Sequence, residues 1–335
     1  MKNRILYLDI LRILACILVL LTHSAMPTND LSQSKYYVFF TTLGAPASEL
    51  FLTISGATLL PINKSFKEFY KKRFTKLLIP VFIWSTIYLI YYYLIGYKSL
   101  NDTIINFILL PLKPVHGVFW FIYAICGLYL LAPFISKWLI QSSEKQILLF
   151  LSLWMITLCL PLLNYIMPNF YELNGSYYNM FNSFGGFVGY MVLGYYLRSY
   201  FTYKIPILIN YIITLILFFI VYIFKINNWD TSILLDNLSL LSAIAVTNII
   251  TYIKTISKAP ILINKSDLIV ELSKYTFGLY LIHILIIREF IWHFFTYRIV
   301  AFIEIPLICM LGLIISIILL KVISKVPFSK YIIGF

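Results

Sequence analysis

The sequence predicts an all-α, polytopic membrane protein of about ten transmembrane helices with both termini cytoplasmic. Three observations predict it. First, the 335 residues are 61% hydrophobic and only 12% charged, against about 45–50% apolar and about 25% charged in soluble domains. Second, ten separate stretches approach the roughly 20 mostly apolar residues that a span needs. Third, 26 Lys and Arg against 13 Asp and Glu give a net charge of +13, gathered in short clusters between apolar runs. No water-soluble basic face exists to carry that charge to a nucleic acid.

The ten intervals are 5–25, 38–60, 77–97, 117–136, 147–166, 181–199, 206–224, 233–253, 274–293 and 301–321. The second and eighth fit the apolar template least well, and the fifth and sixth flank a polar stretch, Asn169–Asn179, free of Lys and Arg. Short connectors take up the rest, so residues 1–335 read as one membrane domain with no soluble domain. With the N-terminus inside, nineteen of the 26 basic residues fall on cytoplasmic segments, as the positive-inside rule requires. Lys2 and Arg4 before the first apolar run imitate a signal peptide. Asp9 and Arg12 interrupt that run, however, so it reads as a retained helix.

Four cysteines (Cys16, Cys126, Cys159 and Cys309) lie far apart inside apolar stretches. With neither a CxxC pair nor a Cys/His cluster, no zinc site or disulfide framework is indicated. Gly-rich phosphate loops, GxSxG, HExxH and nucleotide fingerprints are also absent from the sequence.

Ionisable residues at membrane depth are costly and mark function by default. The first helix carries Asp9, Arg12 and His23. Arg12 and His23, eleven positions apart, fall within about 20° of one face and about 16 Å apart along the axis. Asp9 lies three before Arg12, placed to pair with it. The plainer reading is an ion pair at the headgroups with His23 at the outer interface. Glu49 follows a Gly44/Pro46 break, a feature tolerated at depth where backbone is buried or lines a cavity. It is suited to orient or protonate an imidazole, or stands as a helix-terminus carboxylate. His116 opens the fourth span, where an aromatic belt also accounts for Trp120 and Tyr123. His283 sits about nine residues into the ninth span, read as catalytic or as a buried structural histidine. His293, Arg288 and Glu289 read as interface residues. Lys64 to Lys76 carries six positive charges against Glu68. It fixes topology and meets anionic lipid, or admits a polyanionic donor by way of Arg73 and Lys76.

Five blocks carry a resemblance. Leu8-Asp9-Ile10-Leu11-Arg12 followed by His23, Phe51-Leu52-Thr53-Ile54-Ser55-Gly56, and Lys72-Arg73-Phe74-Thr75-Lys76 with Pro80 come first. Trp120-Phe121-Ile122-Tyr123 with Gly127 to Pro133, and Phe277-Gly278-Leu279-Tyr280-Leu281-Ile282-His283, complete the set. Their order over 8–283 resembles the acyltransferase-3 family of bacterial integral membrane acyltransferases. Lys76 stands where that family often has a second arginine, and His116 is four residues before Trp120 where the family's histidine is commonly two before.

The resemblance implies transfer of an acyl group, usually acetyl from acetyl-CoA, to an extracytoplasmic glycan in the bacterial plasma membrane. By the same resemblance no bound cofactor is expected, with acetyl-CoA or another acyl-CoA serving as donor substrate. Arg12, Arg73 and Lys76 would meet CoA phosphates. His23 would be general base or transient acyl carrier, with Glu49 or Asp9 orienting it and His283 as a further catalytic candidate. Glu49 is the better partner, because Asp9 is more than about 20 Å down the helix. His116, Trp120, Tyr123 and Tyr280 would line the acceptor site. The expected partners are acyl-CoA, a glycan or other envelope acceptor and membrane lipids, with no nucleic acid and homo-oligomerisation left open. The rival reading is a transporter or flippase for an envelope precursor, with the same polar residues lining a permeation path.

Overall fold

The computed structural model describes residues 4–26, 31–166, 186–202, 206–229, 237–295 and 298–334; the Asn169–Asn179 stretch lies outside them. Among the described residues the regular structure is helical throughout. Seven stretches are long and apolar enough to cross a membrane: Leu6–Ser24, Ser34–Leu59, Phe66–Leu94, Gly117–Gln141, Leu208–Ile226, Thr276–Phe294 and Ala301–Ile323. Helices Glu144–Ile166, Val188–Ser199 and Leu240–Ile256 stand at the other three predicted positions.

The second interval is broken where Gly44 and Pro46 predict, and the third helix starts well before its expected position. The second is two helices, α2 (Leu31–Gly44) and α3 (Ala47–Leu59), separated at Ala45–Pro46. Proline has no N–H to continue the ladder, and it serves as the N-cap of α3. The third helix, α4 (Phe66–Leu94), starts well before its apolar run because Ser65 caps it, accepting from the Glu68 N–H at 3.3 Å. The basic run is therefore helical.

The chain forms two compact units. The first comprises Met1–Ile62 and Phe134–Ser273. It holds α1 (Leu6–Ser24), α2 and α3, the end of α6 (Trp120–Gln141), α7 (Glu144–Ile166), α8 (Val188–Ser199), α9 (Ile207–Ile226), α10 (Leu240–Ile256), the short α11 (Pro260–Asn264) and most of α12 (Ser266–Lys274). In lipid, helices associate by close packing and polar contacts more than by hydrophobic burial. Here α3 packs on α1 and on α8. A Cβ on Gly56 would lie 1.9 Å from the Met191 carbonyl oxygen, and one on Gly194 would lie 1.9 Å from that of Thr53. Only glycine permits this backbone-to-backbone approach of α3 and α8. Cations then satisfy helix-end carbonyls. Arg198 Nη1 donates to Ala57 O at 2.7 Å, and Lys254 Nζ donates to Leu197 O at 2.8 Å and Phe201 O at 2.9 Å.

The second unit comprises Asn63–Pro133 and Lys274–Phe335. Its long α4 packs against α5 (Leu100–Ile108), α13 (Thr276–Ile284) and the short C-terminal helix Lys330–Ile333. Trp84 Nε1 donates to Ile332 O at 3.0 Å, tying that last helix to the middle of α4. The ninth interval is α-helical only to Ile284. It continues as a π-helix over Leu285–Ile291 and a 3₁₀ turn over Trp292–Phe294. Helix α14 (Ala301–Ile323) packs along both α13 and the π-helix.

Candidate functional site

In the first unit, Asp9 is 1% exposed in the first turn of α1, where unpaired N–H groups favour an anion. Its carboxylate is a hub. Arg12 Nη1 donates to Oδ1 at 2.7 Å, Arg4 Nε lies 3.1 Å from Oδ2, and the Ser273 hydroxyl donates to Oδ1 at 2.9 Å. The Asp9–Arg12 pair is the one the three-residue spacing predicts. Arg4 and Ser273 were missed: Arg4 reads as a topology charge, and Ser273 is 264 positions away. With its own guanidinium held by Asp9, Arg12 still has further N–H donors, and its side chain is 28% exposed.

His23 occupies the last turn of α1 and is half-buried. A Cβ on Gly44 would fall 1.9 Å from Thr22 Oγ1 and 2.7 Å from Leu18 O. The end of α2 therefore rests on the turn of α1 just before His23. The break then passes the chain to α3, whose first turn carries Glu49, 1% exposed. The fold thus gathers the histidine, the helix break and the carboxylate's turn within one packed α1–α2–α3 element. Asp9 lies at the other end of α1, fourteen residues or about 21 Å away.

The second unit brings His116, Tyr280 and His283 to one aromatic cluster with Tyr88 and Phe119. His283 is fully buried, and its Nδ1 lies 2.7 Å from the Tyr280 carbonyl oxygen. A carbonyl only accepts, so Nδ1 carries the proton in the neutral ring and Nε2 is the basic nitrogen. The Tyr88 hydroxyl donates to Leu281 O at 3.1 Å and accepts from Leu285 N–H at 3.0 Å. It thereby holds both sides of the junction at which the α-helix becomes a π-helix, a geometry frequent at functional sites. The Tyr88 ring centroid is 6.4 Å from that of His116 and 5.4 Å from that of Phe119, and Tyr280 lies 5.8 Å from His283.

His116 stands just outside the span that begins at Gly117. Its Nδ1 accepts from Val118 N–H at 3.2 Å, capping the 3₁₀ turn Gly117–Phe119. Burial, with the nearby Arg288 charge, lowers its pKa to about 4. Tyr280 donates its hydroxyl proton to Val118 O, and Tyr123 donates to Leu110 O. Their phenol protons are thus committed to backbone, leaving the oxygens to accept. Trp120 is half-buried at the start of α6.

Also in the second unit, an open basin of about 460 Å³ is lined by Lys64, Glu68, Lys71, Lys72, Thr75, Lys76, Lys330 and Tyr331. Five ammonium groups surround one carboxylate. Lys76 lines it as expected. Arg73, half-buried on the same helix, is not among the lining residues. Lys330, from the C-terminal helix, completes the basin and was missed, since by sequence it belongs to a separate terminal cluster.

The helical architecture, with seven stretches long and apolar enough to cross a membrane among the described residues, defines a multi-pass integral membrane protein. The chain belongs to the acyltransferase-3 family: the family's acyltransferase domain matches residues 5–321, nearly its whole length. It is a membrane acyltransferase. Comparison with curated proteins and with solved structures gave no match.

Proposed function

We propose that the protein moves an acyl group, acetyl in the simplest case, from cytoplasmic acyl-CoA to a hydroxyl of an extracytoplasmic envelope glycan, at the bacterial plasma membrane with both termini inside. The observation that carries this reading is the layout of α1: a fixed carboxylate–guanidinium cluster at one end and a half-buried imidazole at the other. The basic basin supports a polyanionic donor, because five lysines offer point charges to phosphates. On α4, the helix that carries Lys71, Lys72 and Lys76, Arg73 adds a guanidinium group for that anion.

In the reaction, His23 takes the proton of the acceptor hydroxyl as its oxygen attacks the thioester carbonyl carbon. The tetrahedral intermediate collapses, the C–S bond breaks, and the CoA thiolate leaves and takes up a proton. Transfer through a transient acyl-histidine balances equally. Glu49 orients His23, and Asp9 keeps Arg4 and Arg12 in place. His283, with Nε2 as its basic nitrogen, serves as a second base beside an acceptor lined by His116, Trp120, Tyr123 and Tyr280.

The test uses properly inserted protein, labelled acetyl-CoA and envelope glycan analysed by mass spectrometry. His23→Ala should lower transfer by about 10²–10⁴-fold, the usual contribution of a positioned base. Full transfer by that variant would overturn the assignment. Glycan flux without any acyl donor would instead support a transporter.

A further inference from the structure

The first unit contains a groove of about 490 Å³ formed by α1, α2, the Ala45–Pro46 break, α9 and α10. That is within the range of about 300–1,000 Å³ typical of small-molecule sites. Leu14, Leu18, Phe39, Leu217, Phe218 and Ala245 give it a hydrocarbon wall. None of the residues assigned to acyl transfer lines it.

Three hydroxyls interrupt that wall, and two are accounted for. Thr214 donates to Asn210 O at 2.9 Å, and the Ser239 hydroxyl donates to that of Ser242 at 3.0 Å. The third, Thr42, is 5% exposed, and its Oγ1 has no hydrogen-bond partner among the described residues. A helical threonine ordinarily bonds back to a carbonyl one turn earlier, as neighbouring Thr41 does to Tyr37 O at 2.9 Å. A buried hydroxyl left open in an apolar groove is costly unless something in the groove accepts from it.

A cation stands at the same end. Val221 lines the groove, and Lys225 lies one turn further along the same face of α9. Its ammonium donates to Thr41 Oγ1 at 3.4 Å, beside Thr42. Apolar length, one open hydroxyl and then one positive charge is the order of groups that an anionic lipid presents in reverse.

We propose that this groove binds one acyl chain of an anionic glycerophospholipid. The chain lies along α1, α9 and α10, the Thr42 hydroxyl donates to its ester carbonyl, and the Lys225 ammonium faces its phosphate. Nothing in this requires the acyl-transfer reading. A lysine that already leans on a threonine hydroxyl gains a full countercharge from phosphate, which is why the occupant is anionic rather than neutral.

The experiment exchanges the full chain, in mild detergent, with vesicles of phosphatidylglycerol or of phosphatidylcholine and counts retained lipid by native mass spectrometry. The wild type should keep about one phosphatidylglycerol per chain and favour it over phosphatidylcholine by about tenfold. Ala245→Trp, which fills the groove, should abolish retention. Lys225→Gln should erase the headgroup preference while leaving chain binding. Thr42→Val, nearly isosteric, should shorten retention several-fold. Thermal unfolding identifies a variant that has not folded; Ile249→Phe then replaces Ala245→Trp. Equal retention by the groove-filling variant, equal retention of the two lipids by the wild type, or a polyprenyl phosphate in place of phospholipid would each overturn the proposal.

Discussion

The Ser273 hydroxyl donates to the carboxylate of Asp9 at 2.9 Å, across 264 residues of sequence. That carboxylate also holds Arg4 and Arg12, so three side chains converge on one buried acid. Removing the acid leaves two guanidinium groups without their countercharge, whereas removing the hydroxyl deletes one neutral donor. Breaking a fully buried ion pair costs about 3–5 kcal/mol. The arginines here are partly exposed, which brings the expectation for Asp9→Ala down to about 2 kcal/mol. Ser273→Ala should cost about 1 kcal/mol, the net worth of a single hydrogen bond. Unfolding in detergent measures both, and equal losses would show that Asp9 is not the centre of the cluster.

The imidazole of His116 should make the protein less stable in acid. Its pKa is lowered to about 4 in the folded chain, against about 6.5 when exposed. Protons therefore bind the unfolded state first as pH falls. Stability is fully present above about pH 6.5 and is lost progressively down to about pH 4. Protonation of Nδ1 also removes the acceptor that caps Val118 N–H. His116→Gln should flatten this part of the profile of melting temperature against pH. An unchanged slope between those pH values would refute the role.

Tyr88→Phe isolates a single oxygen. The phenol satisfies Leu281 O and Leu285 N–H at the start of the π-helix. Without it the Leu285 N–H keeps only its backbone bond to Ile282 O and the Leu281 carbonyl loses a donor, together about 2 kcal/mol at about 1 kcal/mol per hydrogen bond. Amide exchange over Leu285–Ile291 should quicken by at least about tenfold, since each 1.4 kcal/mol is a factor of ten. Unaltered exchange there would mean that the π-helix is held by its packing on α14 alone.

The apolar runs made the helices legible, because a span must satisfy its backbone internally and be apolar along its length. Gly44 and Pro46 announced the α2–α3 break, and the three-residue spacing announced the Asp9–Arg12 pair. Such signals are local. Ser273 at the Asp9 hub, Lys330 in the basin and the Tyr88 hydroxyl at the π-helix junction all act on groups far away in sequence, and each is an unremarkable residue where it stands. The start of α4 was hidden for a different reason. Membrane length was sought from the apolar run, while the helix itself began at a serine cap. Nor does any local sequence pattern mark the π-helix after His283.

The basin offers the sharpest electrostatic test of the donor site. Lys71 and Lys330 approach it from α4 and from the C-terminal helix, and Glu68 is the single carboxylate in its lining. If a polyanionic donor docks there, neutralising either lysine weakens its capture without touching the reacting atoms. Lys71→Ala and Lys330→Ala should each raise KM for acyl-CoA about threefold to tenfold with kcat unchanged, and the penalty should shrink as salt screens the surface. Glu68→Gln should act in the opposite sense and lower KM. Only the backbone N–H of Glu68 takes part in the Ser65 cap, so this substitution leaves the helix start intact. A fall in kcat for the lysine variants, or no response to Glu68→Gln, would place the donor phosphates elsewhere.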